Sequence, residues 1–394
     1  RICFQLKINF NMLDTIKTKN IHIVIFRTSG SYIDYNTYNC QELGLAKALI
    51  KKGYKVSLIM GGPESNHIKY GNCSCNLDIY YLKYHSINQS LCIFNGWKKL
   101  LNLLKPDVIQ IHEFGMYMSF LVSKWAKNNN TRCVLIQGNY NTTQKLVLKQ
   151  LEKIFNCTFG KSILKNVDAI GCKTDAAERY VNKYSNKKVV ITPIGLDESK
   201  FNNCRIENDF RQKYGLTNKK LLLYIGKMES RRNPLFLLKL MKQLSDDYCL
   251  VLVGDGPLFE QIKCTITNDH INNVIVLGKK NQEDLPTLYA SADLFLLASS
   301  YEIYGMVILE SMYFGCPVLS TMTAGSEVLI ENNKDGIIID GNLDADKWIN
   351  KIHELFTMPE ILKNMGKNAS DKIKMQLVWD GACQNFIKVY GFLS

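Results

Sequence analysis

The chain has 394 residues, 46% of them hydrophobic and 22% charged, which describes an ordinary globular sequence long enough for two or three domains. The formal net charge is +13, but no nucleic-acid motif accompanies it, so nucleic acid is not an expected partner. No run of about 18 apolar residues occurs, which argues against a membrane-spanning helix; the 13 scattered cysteines, without an export signal, read as reduced thiols in a cytosol.

In chain order, Met12 is read as the start, because the opening Arg1-Ile2-Cys3-Phe4 lacks Met and a signal-peptide core. Short apolar or β-branched runs at 22–26, 55–60, 108–112, 133–137, 169–173 and 189–192 predict strands. Helical spacing fills the gaps, as over 41–50. After the first run, Thr28-Ser29-Gly30-Ser31 precedes a helix expected from near Tyr38, and Gly30 would let backbone approach a diphosphate or an acceptor. His112 closes the third run, and Gln137 stands before Gly138 at the end of the fourth. Cys73 and Cys75 have no second pair to complete a zinc site. Gly160-Lys161-Ser162 imitates the end of a phosphate loop, but Phe155 stands where that loop requires glycine.

The second half repeats the pattern at 221–225, 249–253, 274–277, 294–298, 317–321 and 336–340. Strands alternating with helices imply parallel sheets covered on both faces, in two doubly wound α/β units. The linker is expected at Pro193-Ile194-Gly195-Leu196-Asp197. Asp344-Ala345-Asp346 has metal-pair spacing, but opens a helical stretch and reads as N-terminal helix charge. Trp379, Phe386 and Tyr390 have the spacing of a last helix.

Glu302 and Glu310 are the most informative pair. An apolar strand precedes them, helical spacing begins after Gly305, and Gly315 with Pro317 closes that helix. The helix N-terminus between the two carboxylates is a seat for phosphate. The carboxylates would repel a phosphate unless they face its hydroxyl-rich neighbours, and a sugar nucleotide has such neighbours. The plain alternative is a solvated loop glutamate and a helix glutamate with a lysine partner.

Five segments, in order, resemble the retaining glycosyltransferases of family 4: Val189-Val190-Ile191-Thr192-Pro193-Ile194-Gly195-Leu196-Asp197, Leu221-Leu222-Leu223-Tyr224-Ile225-Gly226-Lys227, Leu250-Val251-Leu252-Val253-Gly254-Asp255-Gly256-Pro257, Tyr289-Ala290-Ser291-Ala292-Asp293, and the E-x7-E pair Glu302 and Glu310. The resemblance implies the GT-B architecture, two Rossmann-like domains facing across a cleft. It places an acceptor domain at 1–193, a donor domain at 194–375 and a returning helix at 376–394.

It also implies the roles. Lys227 and Arg232 would neutralise the leaving diphosphate, with Arg231 as the alternative to Arg232, and Gly305 and Met306 would offer amides to the phosphates. Glu310 would bind the ribose, Glu302 the transferred sugar, and Gly30 would line the donor site. The family's strand-end His is Gln137 here, and His112 is the residue able to cover part of that role. The expected mechanism is a front-side displacement without metal or cofactor. The substrates would be a UDP-sugar donor and a glycan or lipid-linked acceptor of capsule or lipopolysaccharide synthesis, a setting also suggested by Asn39-Cys40-Gln41-Glu42-Leu43-Gly44-Leu45-Ala46-Lys47. The alternatives are an inactive nucleotide-sugar-binding scaffold subunit and another GT-B enzyme such as a nucleotide-sugar epimerase.

Charge is asymmetric. Residues 1–190 hold 27 Lys and Arg against 11 Asp and Glu, a net of +16, so residues 191–394 carry −3. The surplus, including Lys145, Lys149 and Lys153, is read either as solvated surface or as a means of docking peripherally on the anionic inner face of a membrane.

Overall fold

The computed structural model describes residues 21–35, 40–71, 77–140, 146–201, 204, 206–207, 209–340 and 343–392, with side chains of the helix at 146–155 described from Lys149. Met12, Tyr38, Asn39, Cys73, Cys75 and Lys145 lie outside these. The chain divides into two compact units, Arg1–Gly195 with Trp379–Ser394, and Leu196–Val378. Among the described residues, no helix is long and apolar enough to cross a membrane.

The first unit is built on one sheet. Its strands are β1 (His22–Phe26), β2 (Lys55–Gly62), β3 (Asn66–Tyr70), β4 (Leu77–Ser86), β5 (Cys92–Phe94), β6 (Val108–His112), β7 (Arg132–Gln137), β8 (Ala169–Cys172) and β9 (Val189–Ile191). The order is β3-β4-β2-β1-β6-β7-β8-β9, with β5 on β4. β1 lies centrally with Ile23, Val24, Ile25 and Phe26 wholly buried, as an uninterrupted apolar run in a parallel sheet should be. β3 and β5 pair antiparallel with β4, so a hairpin edge extends the parallel core. The helix Trp379–Val389 belongs to this unit. Its Trp379 ring lies so close to the helix Gln41–Lys51 that a Cβ at Gly44 would come within 2.0 Å of the indole nitrogen. The Tyr390 hydroxyl donates to Gln110 Oε1 at 2.6 Å.

The second unit carries β10 (Lys220–Ile225), β11 (Tyr248–Val253), β12 (Val274–Gly278), β13 (Leu294–Leu297), β14 (Val318–Thr321) and β15 (Ile337–Ile339). The order is β12-β11-β10-β13-β14-β15, all parallel. Both sheets are doubly wound. Strand order reverses between β10 and β13 here, and between β1 and β6 in the first unit. Ligands of such sheets sit at the carboxyl ends of the strands flanking the reversal.

Candidate functional site

In the second unit those strands end at Ile225 and Leu297. The loop after β10 is held by the turn after β11: Gly226 N–H donates to Val253 O at 2.9 Å and Met228 N–H to Asp255 O at 2.8 Å. The approach is so close that a Cβ at Gly254, whose φ is +137°, would come within 1.9 Å of Gly226 O. Only glycine fits there, which accounts for the Gly-Asp-Gly turn. The loops after β10 and β13 are also joined, because Ser300 N–H and Oγ both donate to Arg231 O, at 2.9 and 3.0 Å. Asn233 Nδ2 donates to Ala298 O at 2.8 Å.

This framework gathers three cations and two carboxylates. Glu229 lies 2.9 Å from Arg231 Nη2, 3.6 Å from Lys227 Nζ and 3.8 Å from Arg232 Nε. Burial pushes the Glu229 carboxyl up, but the hydrogen bond and charge of Arg231, with Lys227 and Arg232, outweigh it and hold it below its ordinary range. Glu302 is buried and accepts from Ser299 Oγ at 3.0 Å, with Arg232 Nη2 at 3.5 Å and Arg231 Nη1 at 3.7 Å.

The geometry separates the two arginines. Arg231 spends its donors on Glu229 and on Tyr301 O, at 2.5 Å. Arg232 has only 17% of its side chain exposed, and its Nε and Nη1 are buried without a hydrogen-bond partner. A Cβ at Gly226 would sit 2.8 Å from Arg232 Nη1, so the glycine makes room for that guanidinium. Lys227 is 63% exposed and can swing.

Gly305, with φ +78°, caps the helix Met306–Tyr313, whose first amides, of Met306 and Val307, have no acceptor within the helix. The next helix, Ala324–Leu329, presses on the same loop: Gly325 N–H donates to Glu302 O at 3.3 Å, and a Cβ there would lie 2.3 Å from Tyr304 O. Glu310 is wholly buried within its helix. Its Oε2 accepts from the Tyr289 hydroxyl at 2.9 Å, and its Oε1 has no partner. Burial pushes its carboxyl well above the usual range.

In the first unit, His112 stands at the β6 end of the reversal with Nε2 2.9 Å from Gln110 Nε2 and Nδ1 4.0 Å from Glu42. Burial pushes its ring down to about 4, against the pull of Glu42, so it is neutral near pH 7. Gln137 is spent on structure: Oε1 accepts from Phe114 N–H at 3.0 Å, and Nε2 donates to Asn139 O at 2.8 Å. Gly30 owes its glycine to packing, since a Cβ would fall 2.7 Å from the Cys92 Cβ. Four charged residues to which the sequence motifs assign no individual role surround His112. Arg27 Nη1 lies 3.1 Å from Glu42 Oε1, Lys173 donates to Gln41 Oε1 at 3.3 Å, and Glu113 accepts from Gly138 and Asn139 N–H at 3.0 and 3.2 Å. The available signal was position: Arg27, Glu113 and Lys173 each directly follow a strand.

The other sequence decoys resolve simply. Gly160-Lys161-Ser162 lies in continuous helical backbone, and Asp344 caps the helix Ala345–Thr357 by accepting from Asp346 and Lys347 N–H.

Residues 206–372 match the family model described as glycosyl transferases group 1. The chain is 28% identical over 291 residues to UDP-Gal:alpha-D-GlcNAc-diphosphoundecaprenol alpha-1,3-galactosyltransferase of Escherichia coli, covering 70% of this chain and 72% of the relative. In structure it is similar to sucrose-phosphate synthase from Thermosynechococcus elongatus, with a TM-score of 0.75 at 17% identity over 94% of this chain and 98% of that one. It is also similar to Anabaena HepE in complex with UDP, with a TM-score of 0.73 at 15% identity over 95% of this chain and 100% of that one. The two structural likenesses are of fold, and the fold is GT-B.

Proposed function

We propose, because residues 206–372 match the family model described as glycosyl transferases group 1, that the chain is a retaining hexosyltransferase that moves a sugar from a UDP-sugar to a lipid-linked or glycan acceptor. The observation that carries this reading is Arg232, a buried guanidinium with two unfilled donors beside Glu302 at the sheet's reversal. A diphosphate fills such donors, and a bidentate fork suits it better than a point charge.

In this reading Arg232 and Lys227, with the amides at Gly305 and Met306, stabilise the departing UDP. Glu310 Oε1 takes a ribose hydroxyl, and Glu302 holds the hydroxyls of the transferred sugar. The acceptor oxygen bonds to the anomeric carbon on the face from which the phosphate oxygen leaves. The leaving phosphate takes the acceptor's proton, and the anomeric configuration is kept. No protein base is required, so the engagement of Gln137 with backbone and the neutrality of His112 are compatible with catalysis. The cations supply the charge neutralisation, and no metal is invoked.

The Escherichia coli relative's name gives a UDP-sugar donor and a diphosphoundecaprenol-linked acceptor, which supports a lipid-diphosphate acceptor here. The setting would be capsule or lipopolysaccharide synthesis at the cytoplasmic face of a membrane, held there in part by the basic first unit.

One experiment tests the reading: transfer from a panel of nucleotide sugars to a lipid-diphosphate sugar in EDTA, with the product anomer read by NMR. The expected result is transfer from a UDP-sugar with retained configuration. Arg232→Ala should lower turnover about a hundredfold or more, while Glu310→Ala should chiefly weaken UDP binding. An inverted product, or activity that EDTA abolishes and Mg²⁺ restores, would overturn the mechanism.

A further inference from the structure

The helix Leu146–Phe155 runs through a wide turn, Asn156–Gly160, into the helix Lys161–Asn166. Where side chains are described, it shows large apolar groups to water and turns polar ones inward. A surface helix normally buries its apolar stripe and shows water its polar one. Here the inward groups are polar: Asn156 is buried and donates to the Tyr180 hydroxyl at 2.9 Å, and that hydroxyl donates to Glu152 at 3.0 Å. The exposed groups include Leu151 at 58% and Ile154 at 61%, set among Lys149, Gln150 and Lys153, with Phe159 exposed beyond them.

The apolar surface does not end with this helix. Phe159 packs on Phe155, Phe120 and Tyr117 at ring distances of 5.2, 4.9 and 5.6 Å. Tyr117 N–H donates to Ser90 O at 2.9 Å, which brings in the tip of the β4–β5 hairpin with exposed Ile87 and Leu91. Exposed lysines accompany it: Lys149 and Lys153 on the same helix, Lys161 just beyond, and Lys124 one helical turn past Phe120. Among the described residues none of the four has an ion-pair partner.

Contiguous exposed apolar side chains mark a docking surface, and the charge decides the occupant. A second copy of this chain, meeting it about a two-fold axis, would set these lysines against their own kind. A neutral apolar partner would leave them unused. An anionic bilayer satisfies both: apolar side chains enter the boundary layer while lysine stems reach back to headgroups.

We propose that Leu151, Ile154 and Phe159, together with the hairpin tip at Ile87 and Leu91, form a membrane-docking surface flanked by headgroup-binding lysines. The inference deepens the lipid-linked acceptor reading and rests on it for its purpose. It assigns the attachment to insertion as well as to charge.

The test is co-sedimentation with vesicles of phosphatidylglycerol and phosphatidylcholine, and with phosphatidylcholine alone, from about 0.1 to about 1 M salt. The wild type should bind the anionic vesicles and keep part of that binding at high salt. Leu151→Ser with Ile154→Ser should lower partitioning at least about tenfold at every salt concentration. Lys149→Glu with Lys153→Glu should lose low-salt binding, about fivefold or more per lysine. Calorimetric UDP affinity serves as the folding control and should match wild type in both variants. A serine variant that sediments like wild type, or a wild type left in the supernatant with anionic vesicles, overturns the proposal. Wild-type UDP binding without vesicle binding sinks this surface alone, whereas vesicle binding without UDP binding sinks the transferase reading.

Discussion

At the scale of single residues, this protein holds ionisable groups in states that water would not favour. His112 is the clearest case. Burial pushes its ring from 6.5 to about 4, overriding Glu42, with Lys173 and Arg27 adding to the shift. A depressed folded-state value means that the unfolded chain binds the proton more readily. The stability contributed is therefore present above about pH 6.5 and is lost as pH falls toward 4, by at most about 3 kcal/mol. Glu42 is lowered as well, its burial outweighed by Arg27, His112 and Lys173, but its contribution is lost only below its ordinary 4.5. Denaturant unfolding of wild type and His112→Gln between pH 7 and 4.5 should show a steeper decline for wild type. Parallel slopes would mean that the ring binds its proton equally well in the folded and the unfolded protein. Glu310 has the opposite sign: its carboxyl is raised, so any stability linked to its proton is lost as pH rises through its folded value.

At the scale of elements, backbone contacts position the site. The helix Ala324–Leu329 meets the Tyr304 loop through Gly325, where there is no space for a side chain. Gly325→Ala should push that helix off the loop carrying Glu302. The expected cost is about 1–3 kcal/mol of stability, with weaker UDP binding, measurable by thermal shift and calorimetry. Unchanged UDP affinity would show that the loop does not depend on this contact. Helix ends also account for part of the basic surplus in the first unit. Lys187 donates to Lys165 O and Val167 O, and Arg132 Nη2 to Val389 O at 3.4 Å, so these cations neutralise the carbonyl ends of two helices.

The elements that sequence reasoning found are those whose pattern is local. Buried parallel strands such as β1 and β13 are continuous apolar runs and can be read directly. β3 is Asn66-His67-Ile68-Lys69-Tyr70, mostly exposed at a sheet edge, and carries no such run, so it was missed, as were β4, on which it pairs, and β5, which pairs with β4. The glutamate pair stood out by type and spacing, and the cations through the family resemblance. The choice between Arg231 and Arg232 could not be made from sequence, because it depends on which guanidinium the Tyr301 carbonyl and Glu229 occupy. Nor could the reason for Gly30, which is the Cys92 side chain.

At the scale of the whole molecule, the second unit is one continuous stretch, Leu196–Val378, whereas the first is assembled from two, Arg1–Gly195 and Trp379–Ser394. The last helix completes the first unit through Trp379 against Gly44 and Gly195, and through Tyr390 on Gln110, which in turn touches His112. Deleting residues 379–394 should therefore leave the second unit resistant to limited proteolysis while the first becomes labile. Equal resistance of both would show that the first unit stands without its last helix. The same division has a consequence for the order of events on the ribosome. The half synthesised first must wait, with the Trp379 site on Gly44 uncovered, until the entire second unit has emerged. Throughout that interval the first unit has only the contacts made within residues 1–195 to hold it.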